Sequence, residues 1–115
     1  MADGTSRKEL IAQYRERKII GGVYVVRNTE KEKLLLARTA DLQGSKNRFE
    51  FALKTGSCVD LKLQKDWESQ NGEGFVFEVL EVLEKGVGQT EAEFKADIKL
   101  IEEIWREKLK DKAFY

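Results

Sequence analysis

Leu63-Gln64-Lys65-Asp66-Trp67, then Asn71-Gly72-Glu73-Gly74, then Phe75-Val76-Phe77-Glu78-Val79-Leu80-Glu81: the reading of this stretch decides the fold. Leu63 and Trp67 are one helical turn apart and share a face, which predicts a short helix over 61–70. The glycines and asparagine of 71–74 end it as a loop. From Phe75 onward the chain is rich in aromatic and β-branched residues with partial alternation, which predicts a strand over 75–82.

Upstream, Gly21-Gly22 precede a β-rich run over 23–27, Asn28-Thr29-Glu30-Lys31 read as a polar turn, and 34–38 read as the return strand of a hairpin. Leu42, Phe49, Ala52 and Leu53 give an amphipathic helix over 42–54, with Thr55-Gly56 as its stop. Downstream, Thr90-x-x-Glu93 is a capping box, and Phe94, Ile98, Ile101, Trp105 and Leu109 recur at helical spacing, so a long helix is expected over about residues 91–110. A second capping box, Ser6-x-x-Glu9, opens a helix over about residues 7–17 with Leu10, Ile11 and Tyr14 on one face. The expected order is helix, strand, strand, helix, helix, strand, helix. Trp67 and Trp105 both sit on apolar helical faces and are expected in the core, not as exposed platforms for stacking bases.

At 115 residues this is one domain, with a helical extension over 1–20 and a core over 21–110. Apolar residues are 41% and charged residues 37%, the balance of a soluble domain with a heavily charged surface, and no apolar run reaches the length of a membrane span. The N-terminus has no apolar stretch of a signal peptide. Cys58 is the sole cysteine, which excludes a disulfide within the chain and makes the cytoplasm the expected compartment. The absence of histidine removes Ser-His and Cys-His catalysis and imidazole metal sites. Net charge is zero, against the basic excess common in nucleic-acid binders. Arg7, Lys8, Arg15, Arg17 and Lys18 nevertheless form a basic N-terminal cluster, which is either a phosphate-contacting face or a solvated one.

Taken in order, Gly22-Val23-Tyr24, Leu35-Leu36-Ala37, the Gly56 and Cys58 spacing, Leu63-Gln64-Lys65-Asp66-Trp67, the strand at Phe75 and Glu102 three residues before Trp105 resemble the GIY-YIG nuclease superfamily, in particular its phage and mobile-intron members. The resemblance spans about 80 of 115 residues. It implies a small α+β domain with a three-stranded antiparallel sheet flanked by helices, and a metal-dependent cleavage of DNA phosphodiesters. It implies Mg²⁺ or Mn²⁺ on Glu102, Tyr24 beside the attacking water, and an arginine stabilising charge on the phosphoryl oxygens. The chemistry suits these residue types: a hard cation takes carboxylate and water oxygens, and a guanidinium fork matches phosphate.

Several positions depart from that pattern. Leu35 stands where the second motif carries a tyrosine, Ser45 where the arginine is expected, and Phe49 where a histidine often follows. Arg48 lies three residues past Ser45, about 60° away around a helix, within reach of the same space. Read from the residues alone, Tyr24 is equally a strand aromatic packing on the sheet, and Glu102 a helix carboxylate paired with Lys99 or Arg106.

Arg27, Arg38, Lys46, Lys62 and Lys65, together with Arg48, are the candidate phosphate contacts; binding through them would be weak, salt-sensitive and indifferent to sequence. The expectation is a degenerate or atypical nuclease-like domain that acts on or binds DNA. Its alternative is a catalytically inactive scaffold for protein contacts. The two differ in whether Tyr24, Arg48 and Glu102 converge on one groove.

Overall fold

The computed structural model describes residues 18–57 and 60–115. The expected N-terminal helix with its basic cluster apart from Lys18, and Cys58, lie outside them. The elements are β1 (Ile20–Asn28), β2 (Lys33–Thr39), α1 (Leu42–Thr55), a single 3₁₀ turn (Leu61–Leu63) leading into α2 (Gln64–Gln70), β3 (Phe75–Glu84), α3 (Glu91–Lys108) and β4 (Ala113–Phe114).

The sheet order is β3-β1-β2-β4. β1 is central and antiparallel to both neighbours, whereas β4 runs parallel to β2, pairing Lys33 with Ala113 and Leu34 with Phe114. The sheet is therefore four-stranded and mixed, not the three-stranded antiparallel sheet expected from sequence. Two residues are too few to show a strand period, so β4 left no pattern to read.

Helices cover both faces, which is why β1 and β2 are nearly continuous apolar runs. On one face α1 and α2 pack Phe49, Ala52, Leu63 and Trp67 onto Val26, Leu35 and Phe75. On the other, Ile101, Trp105 and Leu109 lie on Val23, Val25, Leu34 and Leu36. Alternation along the strands divides the residues: Tyr24 and Leu35 belong to the α1/α2 face, Val23 and Leu36 to the α3 face.

Local chemistry supports these elements. Asp41 caps α1, accepting from the Gly44 N–H at 3.0 Å, and Gly56 closes the helix in the left-handed conformation. Both bonds of the Thr90–Glu93 capping box are present at the start of α3. At Gly22, φ is +153° and an added Cβ would collide with the Glu81 carbonyl; β1 and β3 shift register next to it, between Val23 and Tyr24. The first glycine of the strand motif thus has a packing reason of its own.

Two core expectations change in detail. Leu53 is exposed, and the buried face of α1 uses Leu42, Ser45, Phe49 and Ala52 instead. Trp67 is fully buried, but Trp105 is only partly so: its indole N–H donates to Glu81 Oε1 at 2.7 Å, and Lys108 lies over its ring.

Candidate functional site

On the α1/α2 face a cleft of about 170 Å³ opens between the hairpin and α1, lined by Tyr24, Leu35, Ala37, Ser45, Arg48, Phe49 and Phe77 with Asp60 at its rim. The Tyr24 ring stacks on Phe77 with centroids 4.5 Å apart, and Phe77 meets Phe49 at 5.8 Å. Leu35 and Phe49 belong to the same buried cluster, so the walls are apolar where hydroxyl and imidazole would stand in the pattern that the sequence resembles. Besides Tyr24 and Asp60, the polar groups of the lining are Ser45 and Arg48. The Ser45 hydroxyl donates to Thr39 Oγ1 at 2.9 Å and accepts from Arg48 Nη2 at 3.0 Å. Ser45 thereby tethers an exposed guanidinium over the opening. Among the described residues Arg48 makes no ion pair.

Glu102 lies elsewhere. It is on α3, across the sheet from Tyr24, and its side chain is only 12% exposed. Ala37 points into the Tyr24 cleft; the next residue, Arg38, emerges on the opposite face and donates from Nη1 to Glu102 Oε1 at 2.8 Å. Arg106 Nη2 approaches the same oxygen at 3.8 Å. The structure therefore brings Tyr24 and Arg48 to one cleft and puts Glu102 in a sheet-to-helix ion pair. Of the two sequence-local partners considered for Glu102, Arg106 is present at the longer distance, and the nearer cation comes from β2.

A divalent cation at Glu102 would compete with the arginines already paired to it. Arg38 is bonded to Oε1 and Arg106 stands near the same oxygen, so a divalent cation at this carboxylate would meet two positive charges. Among the described residues, no group of three or more acidic, cysteine or histidine side chains is placed to hold a metal.

The other candidate cations are divided between the faces. Arg27 is on the α3 side, its guanidinium bonded to Glu78 Oε1. Lys46 on α1, Lys62 on the 3₁₀ turn and Lys65 on α2 are exposed on the other layer.

Sequence reading missed a polar network at the hairpin end. Asn28, fully buried, donates from Nδ2 to Gln70 Oε1 and to the Tyr115 hydroxyl, both at 2.8 Å. The Tyr115 hydroxyl donates to Asp66 Oδ2 at 2.7 Å, and Lys31 Nζ bonds Asp66 Oδ1 at 2.6 Å. The Lys31 and Tyr115 bonds hold the Asp66 carboxyl below its usual range, while burial, reinforced by Asp66, pushes the Tyr115 phenol up to about 12. The one local signal was a carboxylate beside Trp67 in a buried helix; Tyr115, far away in sequence, gave none.

A scan against protein-family models finds no match, and a search of curated proteins finds none either. Among solved structures, a mutant form of the catalytic domain of intron endonuclease I-TevI superposes with a TM-score of 0.57 at 22% identity, covering 80% of this chain and 86% of that one. A second structure, of the catalytic domain of homing endonuclease I-TevI, gives 0.50 at 21% identity, covering 78% and 88%. An α+β core flanked on both faces by helices, spanned over most of its length by these two domains, gives this chain the fold of the GIY-YIG nucleases.

Proposed function

We propose that this chain is a degenerate GIY-YIG nuclease-like domain that binds the DNA backbone at the cleft of Tyr24, Ser45 and Arg48. Metal-dependent phosphodiester cleavage is weakened in it by the missing hydroxyl at Leu35 and the engaged carboxylate at Glu102. The observation that carries this reading is the Arg48 guanidinium, held by Ser45 over an opening that also contains the Tyr24 phenol. A guanidinium fork suits two phosphate oxygens, and a phenol can donate a further hydrogen bond. The apolar floor of Leu35, Phe49 and Phe77 keeps water from competing at the deep end. Cleavage aided by Mg²⁺ or Mn²⁺ would first require Arg38 to release Glu102. No helix among the described residues is long and apolar enough to cross a membrane; a cytoplasmic working compartment, in keeping with the lone cysteine, is part of this proposal.

The test combines supercoiled-plasmid nicking in Mg²⁺ and Mn²⁺ with duplex-DNA binding by fluorescence anisotropy. Binding in the range of about 10⁻⁴–10⁻⁶ M is expected, falling with salt. Arg48→Ala should weaken it about ten-fold, the loss of one charged hydrogen-bonding group. Nicking should be slow, with little change in Glu102→Ala. Brisk nicking abolished by Glu102→Ala would show an intact metal site and overturn the degenerate reading. Absence of duplex binding at about 50 mM salt would overturn the DNA reading. It would leave the second one, a scaffold for protein contacts, which is favoured by the open edge of β3, where Val79 and Val82 are 47% and 57% exposed.

A further inference from the structure

On the α3 face, a separate cavity of about 420 Å³ lies between the end of β2 and the first half of α3. Arg38, Lys95 and Lys99 line it, and no acidic residue does. Lys95 and Lys99 are four apart on α3 and exposed on one side of it, and neither makes an ion pair among the described residues. Ala40, Ala92 and Ala96 contribute only methyl groups, which leaves depth between the cations. The nearby carboxylates are committed elsewhere: Asp97 accepts from Gln89 at 2.6 Å, and Glu102 fixes the Arg38 guanidinium at 2.8 Å. Lys95 and Lys99 carry positive charge that no lining carboxylate offsets, and Arg38, held by Glu102, still leaves its guanidinium 46% exposed beside them, so a bound anion would be favoured there.

We propose that Arg38, Lys95 and Lys99 form a second phosphate subsite, which takes the backbone of the same nucleic acid that reaches the Arg48 cleft. This rests on the DNA-binding reading above. The two clefts meet at one turn. Thr39 lines the α3-side cavity, and its hydroxyl accepts the Ser45 hydrogen bond at the edge of the other. The turn at 39–41 lies between the two clefts, and the Oδ1 of its Asp41 is used in capping α1. Glu102 here acts on the protein side: it orients Arg38 instead of holding a metal.

The experiment measures duplex-DNA affinity between about 50 and 200 mM salt for the wild type, Lys95→Ala/Lys99→Ala, Arg48→Ala and a charge-matched control, Lys108→Ala/Lys112→Ala. Lys108 is about 20 Å further along α3 from Lys95. All four lysines are exposed, so folding is expected to be unaffected, and a thermal melt checks it. Two lost phosphate contacts should reduce the slope of log K against log salt by about 1.8 in Lys95→Ala/Lys99→Ala, with the control near wild type. A Lys95/Lys99 variant with the wild-type slope, alongside a weakened Arg48→Ala, overturns the second subsite and leaves the first reading standing. Equal losses in the variant and the control also overturn it, because net charge alone would then explain the effect. A reduced slope in the lysine variant with Arg48→Ala unchanged supports the subsite and overturns the Arg48 cleft. Absence of wild-type binding overturns both.

Discussion

The two faces of the sheet are built from the same two central strands but solve different problems. The α1/α2 face is aromatic: Tyr24, Phe49, Trp67, Phe75 and Phe77 meet stacked, edge to face or tilted, and one tethered guanidinium is left at the rim. The α3 face has an aliphatic centre and joins helix to sheet at its margins through charge, Arg38 to Glu102, and through the Trp105 bond to Glu81. The difference shows how a fold and its chemistry separate. Leu35 and Phe49 sit in a core cluster on the aromatic face, and the Glu102 carboxylate is engaged by a cation from β2.

The largest effect should come from breaking the aromatic face. Trp67→Ala removes a fully buried indole that contacts Phe49 and Phe75 and should cost about 3–5 kcal/mol, read as a drop in denaturant midpoint. Ile98→Ala, buried under α3, should cost about 2–4 kcal/mol. If Ile98→Ala proves the more damaging, the aromatic face is not the larger contributor to stability. Trp67→Phe sharpens the point. Among the described residues the indole Nε1 is buried without a hydrogen-bond partner, so exchanging it for a ring without an N–H removes a desolvation cost and should be milder than volume alone suggests.

The next effect tests the charged margin. Arg38→Ala leaves the Glu102 carboxylate with only Arg106 at 3.8 Å, and should destabilise by about 1–2 kcal/mol, since the guanidinium is nearly half exposed and solvent offsets part of the loss. Glu102→Gln in the Arg38→Ala background should recover part of it, because no buried charge is then left short of a partner. A double-mutant cycle with no coupling between the two positions would reduce this pair to a surface contact and weaken the contrast between the faces.

Much of the layout was legible locally. The β-rich runs, the glycine stops and the Thr90–Glu93 capping box are each read within a few residues, and all appear at or near the expected bounds. What was not legible depends on three-dimensional pairing. Helical spacing offers Lys99 and Arg106 to Glu102 but cannot show that strand alternation delivers Arg38 from β2. Nor does periodicity say which sheet face a helix covers. Whether Tyr24 and Glu102 converge on one groove was thus open in the sequence, and the sheet divides them. Arg27, expected as a phosphate contact, is engaged by Glu78 across neighbouring strands for the same reason.

The smallest effect concerns the end of the α1/α2 face, where charge does enter the aromatic side. Asp66 has a lowered folded-state pKa, so its contribution to stability is present above the ordinary carboxylate value of 3.8 and is lost as pH falls through the lower folded value. Tyr115 has the opposite sign. Its folded value is raised from 10.0 to about 12, so its contribution is complete below pH 10 and is lost as pH rises toward 12. Denaturant midpoints measured across both windows should therefore fall at each end. Tyr115→Phe keeps the ring against the core but removes the hydroxyl that accepts from Asn28 and donates to Asp66. It should abolish the Tyr115 share of the alkaline fall and shift the acid fall of Asp66 upward, because Lys31 alone then holds the carboxylate. An alkaline profile identical in Tyr115→Phe and wild type would mean that the phenol does not couple to folding. The network would then close the end of the sheet by packing alone, which would bring this face nearer to the purely aromatic surface that the rest of it presents.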